Sequence, residues 1–162
     1  MRVVSDTSPL CNLAIIDRLE LLRRRYEIVF IPSAVADELS RWGHPSGTER
    51  LRNALIAQWL IVEHLKQPGP AQPPLMLDRG ETEAILLAAE LKAEVLLMDE
   101  KRGRAAARQR GLVVAGVLGE LIHAKLAGWI PSVGVEVHRL RTDAGFFVDA
   151  GVERFILSQV GE

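Results

Sequence analysis

Cysteine is almost absent. One thiol, Cys11, among 162 residues excludes an internal disulfide and any cysteine-based zinc site. Its neighbours Leu10, Leu13 and Ala14 mark it as a small core hydrophobe. Aromatic residues are scarce too, at 5%, so the core has to be built from Leu, Ile, Val and Ala. No apolar run approaches a membrane span, and the N-terminus lacks the apolar region of a signal peptide. No membrane contact is therefore expected, and the expected compartment is the cytoplasm. The net charge of −1 has no strong bias of either sign and by itself argues neither for nor against a polyanionic partner. No GxxxxGK[ST] occurs, which excludes P-loop nucleotide hydrolysis. His44, His64, His123 and His138 show no ligand spacing.

What is present reads as a single globular domain spanning 1–162, with 48% apolar and 25% charged residues. Strand-like and helix-like segments alternate. RVV (2–4) is a strand, followed by a helix that Ser8 should cap with Pro9 in its first position. RLELLRRRY is helical, IVFI (28–31) a strand closed by Pro32, and SAVADELSRW (33–42) a helix. TERLRNALIAQWL is a further helix and IVEHL a short edge strand. QPGPAQPP (67–74) holds four of the eight prolines and must be a loop. Beyond it come the helix GETEAILLAAEL (80–91), the strand EVLLMD (94–99), the helix KRGRAAARQR, the strand LVVAG (112–116) and the helix VLGELIHAKLAG. The tail suggests two more helices around Gly145. This alternation predicts an α/β fold, a three-layer α/β/α arrangement around a central parallel sheet.

In such a sheet, ligands bind beyond the carboxyl ends of the strands. Two apolar strands end in an aspartate, VVSD at Asp6 and EVLLMD at Asp99. Each could simply cap the next helix, but a parallel sheet would bring both to one edge. Glu38 flanks the apolar stripe Val35, Leu39 and Trp42 of its helix, whereas Asp37 points away. An acid beside a buried face without a basic partner is costly unless something compensates it. The fourth candidate is ambiguous. Asp78 and Glu81 have capping-box spacing, yet Glu81 shares a face with Ile85 and Ala88, while Glu83 projects toward Leu87 and Glu90. Four converging acids would hold protons or recruit a divalent cation. Oxygen-only ligation suits Mg²⁺ or Mn²⁺, either of which can activate water and offset charge on a phosphodiester. The acid-free stretch KRGRAAARQR places Lys101, Arg104 and Arg108 on one helical face, either for backbone phosphates or as a solvated basic surface. Trp42, Trp59 and Trp129 lie on apolar stripes and read as core or interface, and Arg23, Arg24 and Arg25 as plain surface.

VVSDTSPLCNLA, VFIPSAVADEL and LDRGETEAILLAAELKAEVLLMDEKRGR, in that order and spacing over about residues 2–127, resemble the PIN domain. More narrowly they are similar to its DUF3368-type subgroup, with the DTSPL opening and the GExEA–LLxDxxxGR segment. The resemblance implies a PIN-like, Rossmann-like core over about 2–127 and a C-terminal helical extension over about 128–162. It also implies a Mg²⁺- or Mn²⁺-dependent endoribonuclease with RNA as substrate, the toxin of a toxin–antitoxin pair with an antitoxin protein as partner, and a homodimer. Carried over by position, Asp6, Glu38, Glu81 and Asp99 are its catalytic and metal-binding acids, with Glu83 as an outer-shell contact or the alternative ligand. Ser8 matches a small polar residue that orders the first site, and Arg104 the arginine of the GR pair. Two departures stand out: glutamate replaces the usual aspartate at position 81, and Met98 replaces the threonine often found before the last aspartate. They keep a second reading open, a catalytically weak PIN-like module that binds RNA or protein. A phosphatase of the haloacid-dehalogenase type also ends its first strand in a catalytic Asp, but requires a second Asp where Ser8 stands.

Overall fold

The computed structural model describes residues 1–70 and 77–162. Among these residues five short strands, β1 (Val3–Ser5), β2 (Val29–Ile31), β3 (Leu60–Val62), β4 (Val95–Leu97) and β5 (Val114–Ala115), form one sheet in the order β3-β2-β1-β4-β5. Every pairing is parallel. The helices are α1 (Thr7–Ile15), α2 (Glu20–Tyr26), α3 (Ser33–Arg41), α4 (Gly47–Ile56), α5 (Arg79–Leu91), α6 (Lys101–Gln109), α7 (Val117–Leu126), α8 (Val133–Ala144) and α9 (Ala150–Gln159). The three-layer architecture expected from the alternation is the one observed, with β3 at an edge as foreseen. The tail divides at Gly145, which ends α8 in the left-handed conformation that glycine adopts without strain. Residues 67–70 of the proline-rich stretch lie outside helix and strand, while 71–74 fall outside the described residues.

Alternation along the strands sorts side chains between two cores. Val3 and Leu97 face a large core with Leu10, Leu13 and Ala14 of α1, Leu121 of α7, and Val137 and Leu140 of α8. Val4, Leu96 and Met98 face a smaller one with Ala84, Ile85, Leu87 and Ala88 of α5 and Ala107 of α6. Cys11 is buried in the first core, as its neighbours imply, and so is Trp59, while Trp42 and Trp129 are partly buried and pack against that core.

Chain order reverses between β1 and β4. The first three strands march outward from β1 to β3; the fourth crosses back to pair with β1 on its other side, in the register Ser5↔Leu97. The crevice at the carboxyl ends of β1 and β4 is therefore the topological switch point where open α/β sheets bind ligands. Asp6 and Asp99 follow those two strands directly. Among the described residues no helix is long and apolar enough to cross a membrane.

Candidate metal and phosphodiester site

Helix α1 begins two residues earlier than Ser8 would set it. Asp6 occupies the cap position with an extended backbone, and Pro9 falls third in the helix, still in the first turn, where a missing N–H leaves no bond unmade. The Asp6 side chain nevertheless makes no capping hydrogen bond. Its backbone N–H donates to Leu97 O at 2.9 Å, which locks the end of β1 against β4. The residue is 4% exposed. Burial, with the carboxylates of Asp78, Glu81 and Glu38 adding to it, pushes its carboxyl up from 3.8 to about 7, although the Thr7 backbone N–H opposes the shift.

Around Asp6 lies an open pocket of about 480 Å³ lined by Thr7, Ser8, Glu38, Leu77, Asp78, Glu81 and Glu100. Three of the four expected acids, Asp6, Glu38 and Glu81, thus line one pocket, together with Ser8. Glu38 is half-buried and raised above its ordinary range by burial and by Asp78. The room for it comes from Gly80: a β-carbon there would overlap Glu38 Oε1 and stand 3.4 Å from Asp78 Oδ1. Glu81 does both jobs that its sequence position allowed. It completes the capping box of α5, donating its backbone N–H to Asp78 Oδ1 at 2.7 Å and accepting the Asp78 N–H on Oε2 at 3.0 Å. At the same time it is 6% exposed and shifted upward by burial, then by Asp78, Glu100 and Glu38.

Asp99, at the neighbouring strand end, does not line that pocket. Gly116, the cap of α7, has no side chain to accept the first N–H of that helix, and Asp99 Oδ1 takes it, from Val117 at 2.9 Å. Its Oδ2 is buried with no hydrogen-bond partner among the described residues. Burial raises this carboxyl, while the Val117 N–H and Arg104 oppose the rise. Glu100, the next residue, reaches the acidic pocket instead. Glu83 is not brought into the acidic pocket either. It accepts the Ala34 N–H at 2.7 Å, pairs with Arg79 at 3.5 Å and lines a separate cavity with Ser33 and His64, because two residues along a helix is more than half a turn from Glu81. The row Lys101, Arg104 and Arg108 divides in the same way. Lys101 and Arg108 are exposed, whereas Arg104 turns inward and donates from Nη1 to Met98 O at 2.9 Å. Arg24 and Arg25 do more than solvate a surface: Arg24 packs over the Trp129 ring and Arg25 pairs with Glu120.

Sequence reasoning missed Asp78 and Glu100 as pocket acids; the capping-box spacing pointed to Asp78, and nothing local singled out Glu100. It also missed two further buried acids, Glu120 and Glu136. Glu120 accepts from Tyr26 at 2.7 Å and pairs with Arg25; Glu136 pairs with Arg18 at 2.7 Å and Arg139 at 3.2 Å. The contrast is informative. Buried acids that serve the fold have cationic partners, whereas among the described residues Asp6, Glu38 and Glu81 have no arginine or lysine within ion-pair distance.

Among the described residues no group of three His, Cys, Asp or Glu side chains stands arranged to hold an ion. The donor set itself is hard oxygen throughout, carboxylates with the Ser8 hydroxyl at hand, which is the chemistry Mg²⁺ and Mn²⁺ prefer. Gly80 makes room between α3 and α5 for the Glu38 carboxylate of that set.

A family model described as a PIN domain (DUF3368) matches residues 2–162. The fold is similar to a PilT N-terminus domain protein from the hyperthermophilic archaeon Sulfolobus solfataricus P2, with a TM-score of 0.57 and 21% identity over 82% of this chain and 96% of that one. A domain of a functionally unknown protein from Methanocaldococcus jannaschii DSM 2661 matches with a TM-score of 0.46 and 21% identity over 71% of this chain and 89% of that one. No curated protein matches the chain. The match runs from the first strand to the last helix, and the chain belongs to the PIN-domain family, whose members are generally nucleases.

Proposed function

We propose that this chain is a divalent-cation-dependent endoribonuclease whose acidic pocket at the end of β1 is the catalytic site. One observation carries the reading: Asp6 is buried at the switch point among Glu38, Asp78 and Glu81, and among the described residues no arginine or lysine stands within ion-pair distance of Asp6, Glu38 or Glu81. Such a cluster repels itself and gains from a dication. Bound there, Mg²⁺ or Mn²⁺ would supply activation of water and relief of the charge that develops on the phosphodiester. Asp6, Glu38 and Glu81 are the residues that would hold it. The capping box fixes Glu81 through Oε2 and leaves Oε1 without a hydrogen bond among the described residues. Ser8 offers a hydroxyl at the same rim. Asp99 and Arg104 stand next to the pocket, where they position the backbone after β4.

The test is cleavage of a labelled RNA by the purified protein in Mn²⁺ or Mg²⁺. Activity should vanish in EDTA and in Asp6→Asn; full activity of that variant would end the proposal. Within this reading the chain acts as a toxin and is inhibited by an antitoxin, which co-purification with the product of a neighbouring reading frame would test. A second reading, a non-catalytic RNA-binding module, draws on the commitment of Asp99 Oδ1 to the Val117 N–H. RNA binding without cation-stimulated cleavage would favour it.

A further inference from the structure

Asp99 lines one cavity while Glu100 lines the acidic pocket, so two concave sites adjoin across a single peptide bond. The second is a groove of about 490 Å³ between the start of α7 and the segment that leads into α9. Phe146 and Phe147 line it, and Phe147 is 85% exposed, an unusual position for a large aromatic in a chain so poor in them. Two glycines keep the groove open. A β-carbon at Gly119 would meet nothing within 4 Å, and one at Gly116 would crowd Asp99 Oδ1 and Arg104 Nη1 at 2.6 and 2.7 Å. Arg104 also lines the groove; among the described residues its only side-chain hydrogen bond is the one to Met98 O. A flat aromatic face, a guanidinium with donors to spare and a gap next to a phosphodiester site thus occur together.

We propose that this groove takes one unpaired nucleobase of the RNA strand, next to the phosphodiester in the acidic pocket, stacked on Phe147 with an acceptor edge toward Arg104. The proposal rests on the ribonuclease reading above. It also answers a difficulty in it: a pocket of carboxylates repels a polyanion, so affinity for RNA has to come from neighbouring surface. Stacking on an aromatic ring supplies affinity whatever the base, and an arginine prefers the acceptor edge of a purine such as guanine. A paired base cannot enter the groove, so the site selects single strands.

Binding is read by fluorescence anisotropy with a labelled single-stranded oligoribonucleotide in EDTA, where cleavage plays no part. Phe147→Ala should weaken binding by roughly tenfold, the scale of one stacked base. An oligomer carrying an abasic residue at the bound position should bind wild type equally weakly and lose nothing further in Phe147→Ala. A duplex of the same sequence should be indifferent to the substitution. Gly119→Phe, built into open space, should reproduce the loss with an unchanged melting temperature. Equal single-strand affinity in wild type and both variants overturns the proposal, as does failure of the wild type to bind RNA. So does a sedimentation shift from dimer to monomer in Phe147→Ala with RNA binding intact, which would make the face a contact between copies of this chain. Failure of the ribonuclease reading looks different: normal RNA binding, sensitive to Phe147, with no cleavage in Mn²⁺.

Discussion

At the scale of single residues, the chemistry of this protein turns on which buried acids are neutralised by the fold. Asp6 is not. Its carboxyl ordinarily titrates near 3.8 and is held at about 7 in the folded protein. Between those values the native state keeps a proton that the unfolded chain has released, so this group favours folding at low pH and the benefit is lost as pH rises through about 7. A three-unit difference corresponds to roughly 4 kcal/mol. In EDTA the melting temperature should therefore fall between pH 5 and pH 8, and Asp6→Asn should flatten that fall and melt higher than wild type at pH 8. The same substitution should abolish cleavage. A variant less stable than wild type at pH 8 would show that Asp6 serves the fold. Gly80→Ala probes the same pocket from the other side. The added methyl overlaps Glu38 Oε1, so cation-dependent cleavage should drop at least tenfold while a circular dichroism spectrum stays native.

At the scale of elements, helix termini decide where the carboxylates go. The start of α5 is built by a reciprocal pair of hydrogen bonds between Asp78 and Glu81, and the start of α7 by Asp99 reaching across from the end of β4. Asp78→Ala removes the cap at a cost of about 1 kcal/mol, a fall of about 2–4 °C in melting temperature for a chain of this size. It also leaves the Glu81 N–H without its acceptor and loosens the turn that holds Glu81 in place, so the concentration of Mn²⁺ needed for half-maximal cleavage should rise. An unchanged requirement for Mn²⁺ would leave Glu81 a capping residue only. Glu81 was open to either reading in the sequence because a capping residue and a ligand at the same position look alike there. The distinction between Glu81 and Glu83 was not legible without knowing what α3 presents to α5: the Ala34 N–H and Arg79 claim Glu83, whereas Gly80 opens space beside Glu81.

At the scale of the whole molecule, ion pairs bind distant segments to the core. Glu136 of α8, 1% exposed, accepts Arg18 from the turn after α1 and Arg139 from its own helix. Glu136→Ala leaves both guanidiniums without their acceptor and should cost about 2–3 kcal/mol, below the range for fully buried pairs because the arginines reach solvent. Denaturant melts measure that loss, and cleavage per folded molecule should stay at the wild-type level. Divalent cations should act in the opposite direction at pH 8. Mn²⁺ at a hundred times its dissociation constant adds about 2.7 kcal/mol, and this gain should disappear in Asp6→Asn and persist in Glu136→Ala. A gain equal in all three proteins would put the cation elsewhere.

The order of elements, the parallel sheet and the emergence of Asp6 at a strand end were determined by the sequence alone, since they follow from local periodicity and from chain connectivity, which act over a few residues. Glu38 was visible for the same reason, as an acid on the flank of an apolar stripe. Only the tertiary structure decided which acids share a pocket. Asp99 emerges at the expected edge, yet the glycine at the start of α7 draws its carboxylate to a backbone N–H eighteen residues on. Glu100 and Asp78, neither marked out as a ligand by local pattern, face the pocket instead, and Glu120 and Glu136 find arginines far away in the chain. Burial and Coulomb interaction depend on separation in space, and no local pattern records which distant side chain will come to lie within a few ångströms.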